Sequence, residues 1–149
     1  MSTTDTRPFR SQIRERAQGC CEYCHLPEET DVIAFEVDHI IAEQHGGLTE
    51  LDNLAYSCFE CDRYKGPNLT SIDPQTNKIT ILFNPRQQQW NDHFQLTTDG
   101  TLTGHTATGR TTIRLLKLND SERMQERVGL IAAGKLTPER QSPNQAEGE

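Results

Sequence analysis

Four of the five cysteines form two Cys-x-x-Cys pairs, Cys21/Cys24 and Cys58/Cys61, and the fifth, Cys20, adjoins the first pair. Two such pairs restrict a chain more than any apolar pattern does. If their thiolates meet on one ion, they staple together the two ends of whatever lies between. The opening stretch MSTTDTRPFRSQIRER has arginines but no apolar run behind them, so it does not read as a secretory signal. A reducing cytoplasm is then the expected compartment, and disulfides are disfavoured there. The cysteine pairs therefore read as a four-thiolate structural zinc site, with redox thiol pairs as the alternative. Cys21 has the matching two-residue gap to Cys24, which leaves Cys20 a bystander.

At 149 residues the chain has room for one domain with a real core. Residues 9–136 are read as that domain, with 1–8 and the acidic stretch 137–149 as disordered flanks. No apolar run approaches the roughly 20 residues of a membrane span, so no membrane partner is expected. The net charge of −7 counts against nucleic acid, because proteins that hold phosphates usually present a basic patch. The basic residues gather near the start (Arg7, Arg10, Arg14, Arg16) and late in the chain (Arg110, Arg114, Lys117, Arg123, Arg127). A local basic face remains compatible with that distribution.

Along the chain, Phe9, Ile13 and Ala17 recur at helical spacing, predicting a short amphipathic helix over 9–18 that Gly19 ends. Its arginines read equally as a solvated face or as phosphate contacts. The β-branched and aromatic run 32–37 predicts a strand with Asp38-His39 at its end, and 43–52, holding Gly46-Gly47, a loop. Residues 54–56 suit a second strand. Residues 59–65 lack Gly and Pro and suit a helix that Gly66-Pro67 stops. Beyond it, Ile72-Asp73-Pro74 predicts a turn and 78–83 a strand. Asp99-Gly100 predicts a hairpin between 94–98 and 101–103. Residues 111–118 and 121–133 have helical spacing, with 119–121 supplying a cap.

Read as one string, CEYC, EVDHI, HGGLTELDNLAYSC and CDRYKG resemble the HNH nuclease family, in the branch with a four-cysteine zinc knot around a ββα-metal core. The resemblance covers Cys21 to Gly66. It implies an α+β fold: that core and its knot, extended by a C-terminal hairpin and two helices. It also implies an endonuclease that hydrolyses DNA with Mg2+ or Mn2+. His39 would be the general base, Asp38 and Asp62 the ligands of the catalytic ion, and Asn53 the residue that holds the loop and orients His39 through its amide. Arg63 and Lys65 would contact phosphate, with a solvated helix end as the plainer reading of both. Family members most often have His or Asn where this chain has Asp62, a change that favours hard, oxygen-seeking ions.

The residues support the same chemistry directly. Phosphodiester hydrolysis needs an activated water, an electrophile on the phosphate and help for the leaving oxygen. A carboxylate beside an imidazole that titrates near neutrality supplies two of these groups. A closed four-thiolate zinc cannot activate water, so a catalytic ion must be a second metal. The alternatives are a zinc-stabilised nucleic-acid-binding module without catalysis, and an interaction domain that keeps only the knot. No specificity domain is evident in the chain, which points to nicking or low-specificity cutting unless a partner protein supplies targeting. His45 reads as a surface residue, His25 as a neighbour of the thiolates, and Trp90 as core packing before base stacking. His93 has no assigned role. The late arginines read either as a DNA-facing surface or as a packing face.

Overall fold

The computed structural model of the chain describes residues 5–138. The first α-helix, α1 (Arg10–Arg16), buries Ile13 completely. Phe9 and Ala17 pack at its edges, as the helical spacing predicts. Of the flank expected to be disordered, residues 1–4 lie outside the described residues. Arg7–Phe9 instead form a 3-10 turn, and the Asp5 carboxylate accepts a hydrogen bond from the Arg7 guanidinium at 2.8 Å. In the tail, 139–149 likewise lie outside the described residues.

Left-handed backbone at Gln18 and Gly19 turns the chain out of α1 into the first cysteine pair. Next comes an antiparallel pair, β1 (Glu36–His39) with β2 (Leu54–Ser57), in which Asp38 faces Ala55 and His39 faces Leu54. All four residues of β2 are fully buried. On one side α1 packs against β2, and α2 (Phe59–Lys65) lies against β1. Helix α2 has the bounds that its lack of Gly and Pro predicts.

The first strand departs from expectation. It begins at Glu36 rather than 32, and Val32 is 98% exposed. The reason lies across the ladder: Ser57 is the last residue β2 can offer, because Cys58 turns the chain and caps α2. Upstream backbone is held by side chains instead, with Asp31 accepting from the Ile33 amide (3.1 Å) and Glu28 from the Phe35 amide (2.9 Å).

The second half adds two hairpins and two longer helices. A hairpin of β3 (Thr70–Ile72) and β4 (Ile79–Ile81) carries the expected Asp73-Pro74 turn. Its second strand is shorter than the run 78–83 suggests, because the Phe83 amide leaves the ladder to donate to Thr112 Oγ1 (2.9 Å). After α3 (Trp90–His93), β5 (Phe94–Leu96) and β6 (Leu102–Gly104) pair around Asp99-Gly100. Helix α4 (Ala107–Leu115) starts four residues earlier than its apolar spacing predicts. Thr106 caps it by accepting from the Gly109 amide (3.0 Å). Lys117 then adopts left-handed backbone and ends it. Helix α5 (Ser121–Ala132) follows, but its cap at Asp120 makes no side-chain bond. Asn119 instead exchanges two 2.8 Å bonds with the Leu102 backbone, tying β6 to the turn before α5.

The chain is thus α+β, with helices and small antiparallel sheets. Buried residues from α1, the cysteine turns, β2, β5, β6 and the α4–α5 region form one continuous apolar cluster. Among the described residues no helix is long and apolar enough to cross a membrane.

Gly109 marks a tight approach of α4 to the end of α3, since a Cβ there would lie 2.2 Å from the His93 carbonyl oxygen. Gly109→Ala is expected to destabilise by roughly 2–3 kcal/mol through overpacking. A thermal melt should register this as a fall of roughly 5–10 °C for a chain of this size.

Candidate functional site

The two cysteine pairs build the same small turn twice. Each directs the amide of its second cysteine at the sulfur of its first, Cys24 N to Cys21 Sγ at 3.5 Å and Cys61 N to Cys58 Sγ at 3.4 Å. All four sulfurs are buried and lie within 4.8 Å of one another, Cys24 and Cys58 being 3.7 Å apart. That spacing is far too long for a disulfide, whose sulfurs sit about 2.05 Å apart. It is close to the roughly 3.8 Å edge of a tetrahedron with Zn–S bonds of about 2.3 Å. Burial and the three neighbouring sulfurs push the Cys61 thiol well up, so without a cation the cluster resists carrying four negative charges. The donor set fits a structural zinc ion. Cys20 stays outside it, its thiol directed at the Gln18 carbonyl.

Helix α2 starts at this cluster and carries two more candidate residues to β1. Asp62 and Lys65 are one turn apart on α2, and Lys65 reaches Asp38 with an N–O distance of 3.6 Å. Asp38 is largely shielded, and its Oδ2 makes no hydrogen bond. Burial pushes the Asp38 carboxyl up to about 7; Lys65 opposes the shift and the nearby Asp62 adds to it. Two carboxylates that repel one another, one with a buried oxygen that faces an ammonium but makes no hydrogen bond, are a donor set suited to a hard divalent cation.

Lys65 differs from the phosphate contact expected of it. Only 2% of it is exposed, and its ammonium donates to the Ile40 carbonyl at 3.0 Å. It serves as the internal partner of Asp38 and of the backbone just past β1. Arg63, on the opposite face of α2, is exposed.

His39 ends β1 half-buried, with Nε2 2.8 Å from Thr49 Oγ1. Asn53 was expected to orient this ring through its amide, but its hydrogen bonds run to the loop backbone. Its Oδ1 accepts from the Ile41 amide, and its Nδ2 donates to the carbonyls of Ile41 and Leu48, each at 2.9 Å. Asn53 therefore braces the segment that delivers Thr49, and Thr49 holds the ring. Gly47 completes the clamp, because a Cβ there would sit 1.7 Å from the Ile41 carbonyl oxygen. Thr49 escaped the sequence reading: one hydroxyl in a polar loop carries no spacing signal.

The remaining candidates have structural surroundings. His25 stacks on Trp90 with ring centroids 3.7 Å apart, and burial lowers its pKa to about 4, which leaves it neutral. The Trp90 indole donates to the Tyr23 carbonyl at 2.9 Å, bracing the first cysteine turn. His93 Nδ1 lies 2.6 Å from the hydroxyl of the α4 cap Thr106. His45 is exposed. Of the late arginines, Arg110 is engaged by the buried Asp73 at 2.8 Å, and Arg123 and Arg127 are buried. Arg114 and Lys117 remain exposed, so the DNA-facing basic surface envisaged for these helices is much reduced.

A family model described as HNH endonuclease matches residues 21–68. No curated protein and no solved structure matches the chain significantly.

The Asp38 environment generates a pH dependence. A carboxyl whose folded pKa, about 7, exceeds its unfolded value near 3.9 stabilises the fold most below the unfolded value. That stability is lost as pH rises through about 7. Zinc-loaded protein without other divalent ions should therefore lose thermal stability between roughly pH 4 and 7 from this group. Carboxyl NMR should follow Asp38 with a midpoint near 7, and added Mg2+ should lower that midpoint. A midpoint near 4 that ignores Mg2+ would contradict this picture.

Proposed function

We propose that this chain, whose residues 21–68 match the HNH endonuclease family model, hydrolyses DNA phosphodiester bonds with His39 as general base. The observation that carries the reading is the approach of Asp62 of α2 to Asp38, the residue that precedes His39 at the end of β1. Asp38 and His39 close β1, and Asp62 of α2 lies near enough to Asp38 to oppose its ionisation. In this reading β1, β2 and α2 make up the ββα-metal core, and residues 9–136 make one nuclease domain around it.

Each residue has a distinct task. Asp38 and Asp62 would hold Mg2+ or Mn2+, which when bound supplies positive charge at the phosphate and at the departing oxygen. In the tautomer whose Nε2–H donates to Thr49 Oγ1, 2.8 Å away, the His39 ring keeps a lone pair on Nδ1 to accept a proton from the attacking water. The water oxygen forms the new bond to phosphorus, the bond to the 3′ oxygen breaks, and that oxygen leaves with the electron pair. Asn53 and Gly47 keep the His39 loop in one shape. Lys65 offsets the charge of Asp38 before an ion arrives, and exposed Arg63 is the candidate phosphate contact on α2. The four cysteines hold a structural zinc that takes no part in the reaction.

A nucleic-acid-binding module without catalysis is the second reading. It is favoured by the net charge of −7 and by an Asp at position 62.

Supercoiled plasmid incubated with purified, zinc-loaded protein and Mg2+ or Mn2+ tests both. Nicked or linear product is expected, chelation of the added ion should stop it, and His39→Ala should slow it by roughly 10²–10⁴-fold with zinc content unchanged. Retarded but uncut plasmid with every metal would select the binding module instead.

A further inference from the structure

Two arginines of α5 lie deep inside the protein. Arg123 is 6% exposed and Arg127 1%. Ion pairs within 4.0 Å among the described residues engage Arg7, Arg10, Arg14, Lys65, Arg86 and Arg110, but neither of these two. A guanidinium is always charged, and a buried charge without a counter-charge is among the most costly features a fold can contain. Something in their surroundings must supply negative charge.

The surroundings are the cysteine cluster. Arg123 directs Nη1 at Cys61 Sγ (3.5 Å) and Nη2 at Cys58 Sγ (3.8 Å), and also donates to the Leu116 carbonyl (3.0 Å). Arg127 lines a small cavity together with Cys24. It donates from Nη1 to the Gly100 carbonyl at 3.1 Å, while its Nε and Nη2 have no partner. Asp31, Glu60, Glu122 and Glu126 line the cavity that Arg123 shares with Cys58, but none pairs with the guanidinium within 4.0 Å. For Arg123 the anionic groups within reach are the sulfurs of Cys58 and Cys61, and Arg127 shares its cavity with Cys24.

We propose that Arg123 and Arg127 are the built-in counter-ions of a divalent tetrathiolate centre. A divalent ion with four thiolates carries a net charge of −2, and the two guanidinium ions bring the buried assembly to zero. A trivalent ion would leave one positive charge in excess, and two disulfides would leave two. The metal centre of this protein thus includes α5, whose arginines lie more than 60 positions from the cysteines they address. The arginines position and neutralise the sulfurs without ligating the metal, and α5 is docked through the metal's charge as well as through Leu130.

The test reads metal retention and does not depend on nuclease activity. Full-length zinc-loaded protein is mixed with a chromophoric zinc chelator, and the release rate is followed for Arg123→Met, Arg127→Met, Arg123→Lys, Arg127→Lys and the exposed control Arg114→Met. The Met variants should release zinc roughly 10–100-fold faster, the range for losing a group that supports a metal ligand. The Lys variants should stay within a few-fold of wild type, and Arg114→Met should match it. Failure of the Met variants to fold with zinc, while the Lys variants do, also supports the proposal, because only the charge differs in kind. Wild-type release rates in both Met variants would overturn it. Equal loss in the Lys and Met variants would overturn it as well, since packing would then account for the effect.

Discussion

Four sulfur atoms sharing one small volume hold together the parts of this protein that would not hold themselves. The ladder between β1 and β2 is four residues long, and a two-stranded sheet of that size is at best marginal in water. Helix α2, at seven residues, is equally short. Their stability comes from what the cysteine turns impose. The first turn leaves α1 and the second opens α2, so bringing the sulfurs together brings α1 against β2 and α2 against β1. The direction of α2 then decides where Asp62 and Lys65 fall, and both fall beside Asp38 at the end of β1.

Charge is organised around the same centre. A chain with a net charge of −7 nevertheless buries Lys65, Arg123 and Arg127. Two of these cations face a site where a metal is expected, and Arg127 shares a cavity with Cys24. Lys65 sits against the Asp38 carboxylate and Arg123 against two sulfurs. Taking these cations inside leaves the surface more acidic than composition alone implies, and it explains why the late basic residues do not form a broad nucleic-acid face. A substrate phosphate would approach by way of a few groups such as Arg63 and the bound ion, with little general electrostatic attraction.

Much of the candidate site was legible because its signals are local or strictly spaced. The two-residue gap in each cysteine pair is a property of one turn, and the four sulfurs do cluster. The bounds of α2 follow from residues 59–65 themselves, and the β5–β6 hairpin from Asp99-Gly100. Where propensity failed, a tertiary contact had outbid it. Val32 and Ile33 look like strand residues, yet β2 has nothing left to pair with them once Cys58 begins a helix. Helix α4 starts early because Thr106 caps it, and that threonine is one of several in a run where no apolar period marks the start.

The sequence by itself determined the kind of chemistry available: four thiols at zinc-binding spacing, a carboxylate next to an imidazole, and a second carboxylate one residue past the last cysteine. These are facts of covalent order, and no packing can alter them. Only the tertiary structure decided what each group faces. It turned Lys65 inward to Asp38, gave His39 a partner in Thr49 rather than Asn53, and brought Arg123 of α5 onto the sulfurs of Cys58 and Cys61. Spacing along a chain specifies distances only within a turn or an element, whereas a buried charge selects its partner from whatever the fold brings within a few ångströms.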